Sequence, residues 1–189
     1  MMEFFRDRIL VLDGAMGTMI QKYGLTETDF HNRHISNEIA GVPQEIAAGP
    51  VDDVARALDT LATNGRELKG NNECLNITRP DIICDIHRHY IQAGADIIEA
   101  NTFSANRISQ SEYGTADLAY IFAREGARIA RLAADNAGNT GRTVFVAGSV
   151  GPTSKSLTLA PDIEAPEYRP YSFRDMVDAY SEQIRGLMD

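Results

Sequence analysis

The chain has 189 residues, 43% hydrophobic and 24% charged, the composition of an ordinary globular domain with a real core. Its net charge of -9 argues against a nucleic acid or an anionic membrane as partner, since both repel an acidic surface. No apolar run is long enough to cross a bilayer, the N-terminus lacks a signal-peptide core, and two cysteines make no disulfide framework, so a reduced, cytoplasmic protein is expected.

In chain order, Phe4 to Arg8 reads as a helical turn, and Ile9-Leu10-Val11-Leu12 as a short strand buried on both faces. That strand stops at Asp13-Gly14-Ala15-Met16-Gly17-Thr18. An acid at the carboxyl end of a parallel strand sits where α/β folds place ligands. Beside it, glycine-spaced amides can approach a bound group closely. A carboxylate for an ammonium and amides for a carboxylate suit a zwitterion; a plain strand-to-helix turn capped by Asp13 is the competing reading.

A brief helix over Thr18–Tyr23 should end at Gly24, and residues 26–50 show no period and read as loop. Pro50 and Asp52-Asp53 open a helix with Val51, Val54, Leu58 and Leu61 on one face, ended by Asn64-Gly65. After a polar stretch over 67–73, Thr78 is the expected cap and Pro80 the first turn of a helix closed by Gly94. Its inner face carries Ile83, Ile86, His87 and Tyr90.

A second strand over 95–103 again ends in polar groups, Glu99, Asn101 and Thr102. A helix from Asp117 to Asp135, a third strand over 143–151, a loop over 152–171 and a helix over Phe173–Met188 complete the chain. The last helix is amphipathic through Met176, Val177, Tyr180, Ile184 and Leu187.

Buried strands alternating with helices imply βα units and a parallel sheet. No Gly-x-Gly-x-x-Gly opens a helix, which favours part of a (β/α)8 TIM barrel, about three βα units, over a dinucleotide fold. Cys84, His87 and His89 tempt toward a metal site. On a helix, however, His87 and His89 diverge by roughly 200°, so a core-facing histidine beside a buried thiol is the better account. Lys155 and Arg169, near Asp162, Glu164 and Glu167, read as a solvated charged loop.

Four segments in order resemble the start of the homocysteine S-methyltransferase domain: Leu12 to Thr18, Leu68-Lys69-Gly70-Asn71-Asn72, Gly94 to Phe103, and Gly148-Ser149-Val150-Gly151-Pro152-Thr153. The Leu68–Asn72 segment is similar to the cobalamin-dependent methionine synthase branch. The resemblance spans residues 1–189 as one partial domain, with an insertion around 31–66.

It implies methyl transfer to the thiolate of homocysteine, giving methionine, with methylcobalamin as donor through other modules. Zinc on three cysteines would activate the thiol. By resemblance Asp13 binds the amino group of homocysteine, and the amides of Gly14, Ala15 and Met16, beside Gly17 and Thr18, its carboxylate. Glu99, Asn101 and Thr102 join the substrate-binding set or only tie loops together. The family's zinc cysteines lie on later strands, and Cys74 and Cys84 do not occupy their positions. The expectation is therefore an N-terminal fragment, inactive alone, whose partners are the remaining barrel half or other methionine synthase modules. The alternative is a non-catalytic remnant that binds an amino acid weakly or associates with other subunits.

Overall fold

A computed structural model of the protein describes residues 8–36, 38–47, 51–138, 141–158, 164 and 167–189. The expected turn before Arg8, the start at Pro50, Asp162 and part of the 152–171 loop lie outside these residues.

Three parallel segments organise the molecule. Strand β1 (Ile97–Glu99) pairs in parallel with β2 (Phe145–Ala147), matching Ile98 to Val146. The opening run lies along the other edge of β1 through a parallel bridge between Leu12 and Ile97. There the Ile97 N–H donates to Val11 O at 3.1 Å and the Asp13 N–H to Ile97 O at 3.0 Å. Asp13 and Glu99 thus end neighbouring parallel segments on the same side, as the sequence pattern requires.

The opening run is not the buried strand expected. Ile9, Val11 and Leu12 are 89%, 53% and 50% exposed, and a single bridge replaces a ladder. The cause is position. β1 flanks one edge only, whereas Ile98, in the middle of the sheet, is fully buried.

At the far end of the sheet, Asp96 accepts both Arg8 guanidinium nitrogens at 2.8 Å, the Val11 N–H at 3.0 Å and Arg142 at 3.4 Å. These donors hold the Asp96 carboxyl well below the usual carboxylate range. The clasp ties the opening run to β1 away from the candidate site.

Helix α1 spans Met16–Gln21 and starts two residues before the Thr18 expected. Residues 26–50 are not a plain loop, since they hold α2 (Glu27–His31) and α3 (Gln44–Ala47). Thr26 and Asp29 form a reciprocal capping box that starts α2, and Phe30 and Ile46 are buried in the core. Helices of four or five residues are too short to show a period, which is why the sequence hides them. Tertiary contacts hold the stretch in place. Arg33 donates to Ile77 O and Ile46 O, while Arg79 bridges Asp29 at 2.7 Å and Asp81 at 3.1 Å.

Helix α4 (Asp52–Ala62) follows, with Val54, Ala57 and Leu61 buried. The polar stretch before the next helix winds into a 3-10 turn (Asn72–Cys74) that continues as α5 (Leu75–Thr78). Thr78 therefore ends a helix instead of capping one, its hydroxyl donating to Cys74 O at 3.1 Å. Arg79 breaks the chain direction, Pro80 opens α6 (Pro80–Ala93), and Gly94 closes it at φ +115°.

Beyond β1 come a short α7 (Arg107–Gln110) and the long α8 (Ala119–Gly138), preceded by a 3-10 turn over Ala116–Leu118 where the helix was expected to have begun. α8 packs on α6, and α9 (Phe173–Met188) packs on α8. Burying Phe122, Ile129, Ile83 and Ile86 between these layers stabilises them by about 1.5–3 kcal/mol each. Among the described residues no helix is long and apolar enough to cross a membrane.

The buried face of α9 runs through Met176, Ala179, Gln183 and Gly186, while Val177 and Ile184 stay 41% and 45% exposed. Hydropathy alone misplaces this face, because it cannot see what lies beneath. A Cβ on Gly186 would meet Tyr120 O at 2.6 Å, so only glycine allows α9 to approach α8 this closely.

Candidate functional site

A cavity of about 470 Å³ opens at the carboxyl ends of the parallel segments. Asp13 to Gly17 form one wall, Glu99 to Ser104 another, and Gly70, Asn72, Glu73 and Ser149 complete it. Of the residues singled out from sequence, Asp13, Gly14, Ala15, Met16, Gly17, Glu99, Asn101 and Thr102 all line it, and Thr18 does not. Among the described residues no lysine or arginine lies in the wall, which carries three carboxyl groups, those of Asp13, Glu73 and Glu99.

Asp13 is poised between protein and cavity. Both its oxygens face the Glu99 N–H, at 3.2 and 3.1 Å. Burial raises its pKa to about 6, a shift that the Glu99 N–H opposes and the Glu99 charge reinforces. Behind it, the Tyr90 hydroxyl donates to Ala15 O at 3.4 Å, and a Cβ on Gly14 would stand 3.2 Å from that hydroxyl.

Asn101 and Thr102 hold the wall through their side chains. The Asn101 amide donates to Asn72 O at 2.8 Å and to Asn76 Oδ1 at 2.9 Å. The Thr102 hydroxyl donates to Ser149 O at 2.8 Å. Underneath, Asn76 donates to Asn101 O and Phe122 O, and Gln183 of α9 to Thr102 O at 2.6 Å. The loop after β1 is thus pinned to the turn before α5, to β2's loop and to two helices. Gly126 of α8 lies directly below: a Cβ there would meet Thr102 Cγ2 at 2.6 Å and Asn76 Nδ2 at 2.7 Å.

Sequence reasoning missed Gly70, Asn72, Glu73 and Ser104. Glu73 follows the quoted Leu68–Asn72 segment by one position, so an acid beside a Gly-Asn-Asn turn was the available signal. The turn is positioned from outside by Glu27, whose carboxylate accepts the N–H groups of Leu68 and Lys69. His87 lies away from the cavity, wholly buried, with neither ring nitrogen hydrogen-bonded. Lys155 pairs with Glu112 at 2.7 Å and Arg169 donates to Leu157 O.

Zinc, which the family resemblance implies, does not find a ligand set here. Among the described residues no group of three or more His, Cys, Asp or Glu side chains could hold a metal ion. Both thiols are buried, and desolvation pushes Cys84 to about 11 and Cys74 well above its ordinary value, which opposes the thiolate that a metal requires.

Parallel strands joined by helices, with an acidic cavity at the strands' carboxyl ends, define an α/β protein with a small-molecule site. A model of the family described as homocysteine S-methyltransferase matches residues 10–189. The chain belongs to that family. Its fold is similar to the solved homocysteine methyltransferase MmuM from Escherichia coli, in the oxidized form at 19% identity and TM-score 0.59, covering 98% of this chain and 51% of that one. The metallated form gives the same identity and TM-score, covering 99% and 52%. The chain thus spans about half the length of the solved structures it matches.

Proposed function

We propose that the cavity is the homocysteine-binding part of a homocysteine S-methyltransferase, and that the three parallel segments are the first βα units of a (β/α)8 barrel. One observation carries the reading. Asp13, carboxyl-terminal to the first segment, shares a solvent-open pocket with Glu99, and among the described residues no cation in the wall neutralises either. Such a pocket favours an ammonium group, and the ionised Asp13 carboxylate is its natural partner. The backbone turn over Gly14–Met16 lies within the same wall, where the substrate carboxylate would rest.

Methyl transfer also needs a thiolate, and the described residues carry no ligand set that would generate one. By the family resemblance, thiol activation and the methyl donor would fall to the remaining barrel half or other modules. The Leu68–Asn72 segment supports the cobalamin-dependent branch, in which methylcobalamin would supply the methyl group.

The test is calorimetric titration of the protein with homocysteine. Binding should weaken as pH falls through about 6, where Asp13 gains a proton and loses its hold on the ammonium. Asp13→Asn should weaken binding about tenfold or more at pH 7.5 and flatten that pH dependence. Unchanged affinity in Asp13→Asn would remove the reading.

A further inference from the structure

Glu73 is the one carboxyl group of the cavity wall that is almost wholly buried, 6% exposed, whereas Glu99 is open to solvent. It sits on the 3-10 turn Asn72–Cys74, packed against the loop that follows β1. Its Oε1 accepts the Ser104 N–H at 2.8 Å, and its own backbone N–H is the other donor to it. Both donors are neutral. No lysine, arginine or histidine among the described residues pairs with it.

A carboxylate removed from water without a countercharge is costly, and proteins ordinarily resolve that cost with an ion pair or a proton. Four other titratable groups belong to the cavity wall or lie close to Glu73. Asp13 and Glu99 stand in the same cavity wall, and the Cys74 thiol and Tyr113 hydroxyl lie behind it. Each is an acid whose charged form is an anion, so none can supply the missing positive charge. Burial accordingly raises the Glu73 pKa. The open side of this arrangement is the cavity, and a ligand cation is what would complete it.

Resting on the amino-acid reading above, we propose that Glu73 is a specificity-determining residue that, together with Asp13, receives the ligand's ammonium group and so selects amino-acid thiols over thiols lacking the amine. Asp13 alone would hold an ammonium at a half-exposed rim. A second carboxylate set deep in the wall makes the absence of an amine felt, because the site's buried polar group is then left without its partner. The arrangement also gives Glu73 a structural task through Ser104, and the two tasks separate chemically. Glutamine keeps an oxygen for the Ser104 N–H and removes only the charge.

The experiment titrates the 189-residue protein at pH 7.5 with homocysteine and with 4-sulfanylbutanoic acid, which has the same thiol and carboxylate but no amine. The wild-type protein should prefer homocysteine. Glu73→Gln should cut that preference about tenfold by weakening homocysteine alone, while Glu73→Asp, which retains the charge, should keep most of it. Equal weakening of both ligands in Glu73→Gln, or an undiminished preference, would overturn the assignment and leave Glu73 as a support for the Ser104 loop. A wild-type protein that shows no preference for homocysteine would instead overturn the amino-acid site itself.

Discussion

His87 offers the sharpest test of the packing described above. Its imidazole, on α6, is fully buried, and among the described residues neither ring nitrogen has a hydrogen-bond partner. Desolvation disfavours the charged ring and lowers its pKa from 6.5 to about 4. In the unfolded chain the ring takes a proton below 6.5, while in the folded protein it resists until about 4. The folded state therefore binds fewer protons in this window, so the stability tied to His87 is complete above 6.5 and is lost as pH falls toward 4. At 1.36 kcal/mol per pH unit the loss amounts to about 3 kcal/mol.

Urea unfolding followed by circular dichroism at pH 7.5, 6, 5 and 4.5, on the wild-type protein and on His87→Met, measures this directly. Methionine has similar bulk and no titratable group, and the remaining acids and histidines titrate in both proteins and cancel in the difference. The wild-type protein should lose about 2–3 kcal/mol more than the variant between pH 7.5 and 4.5, and the variant should be the more stable at low pH. Parallel pH profiles would show that His87 has a partner or water in the folded state, and would refute the argument.

Two further outcomes concern the sheet and the site wall. Asp96→Asn removes the charge on which Arg8, Arg142 and the Val11 N–H converge; with Arg8 half exposed, the loss should be about 2 kcal/mol, and an unchanged urea midpoint would refute the clasp. Gly126→Ala places a methyl group against Thr102 and Asn76 and should cost about 1–3 kcal/mol and weaken homocysteine binding, whereas a variant matching wild type in both would show that the wall can yield.

Much of the cavity wall was legible because it follows local rules. Asp13 and Glu99 each follow a short continuous apolar run, and where such a run stops shows where the segment's carboxyl end falls. Pro80 and Gly94 bracketed α6, since one lacks an N–H and the other tolerates positive φ. His87 fell on the inner face of α6 by helical spacing, and it is there.

Other features were decided by tertiary structure alone. Ile9 to Leu12 carry the composition of a buried strand, but burial depends on having neighbours on both sides, and β1 supplies one. Helices α2 and α3 are too short to mark themselves, and exist because Phe30 and Ile46 find the core and Arg33 and Arg79 tie the stretch to α5 and α6. Gln183 reads as a polar surface position, yet its amide holds Thr102 O, and this turns α9 so that Val177 and Ile184 face outward. Glu73 joined the cavity only once the turn after Gly70 folded against the loop ending in Ser104. Sequence fixes which groups a segment carries and how often they repeat; whether a given group meets solvent, a partner or a ligand depends on residues far away in the chain, brought near by packing.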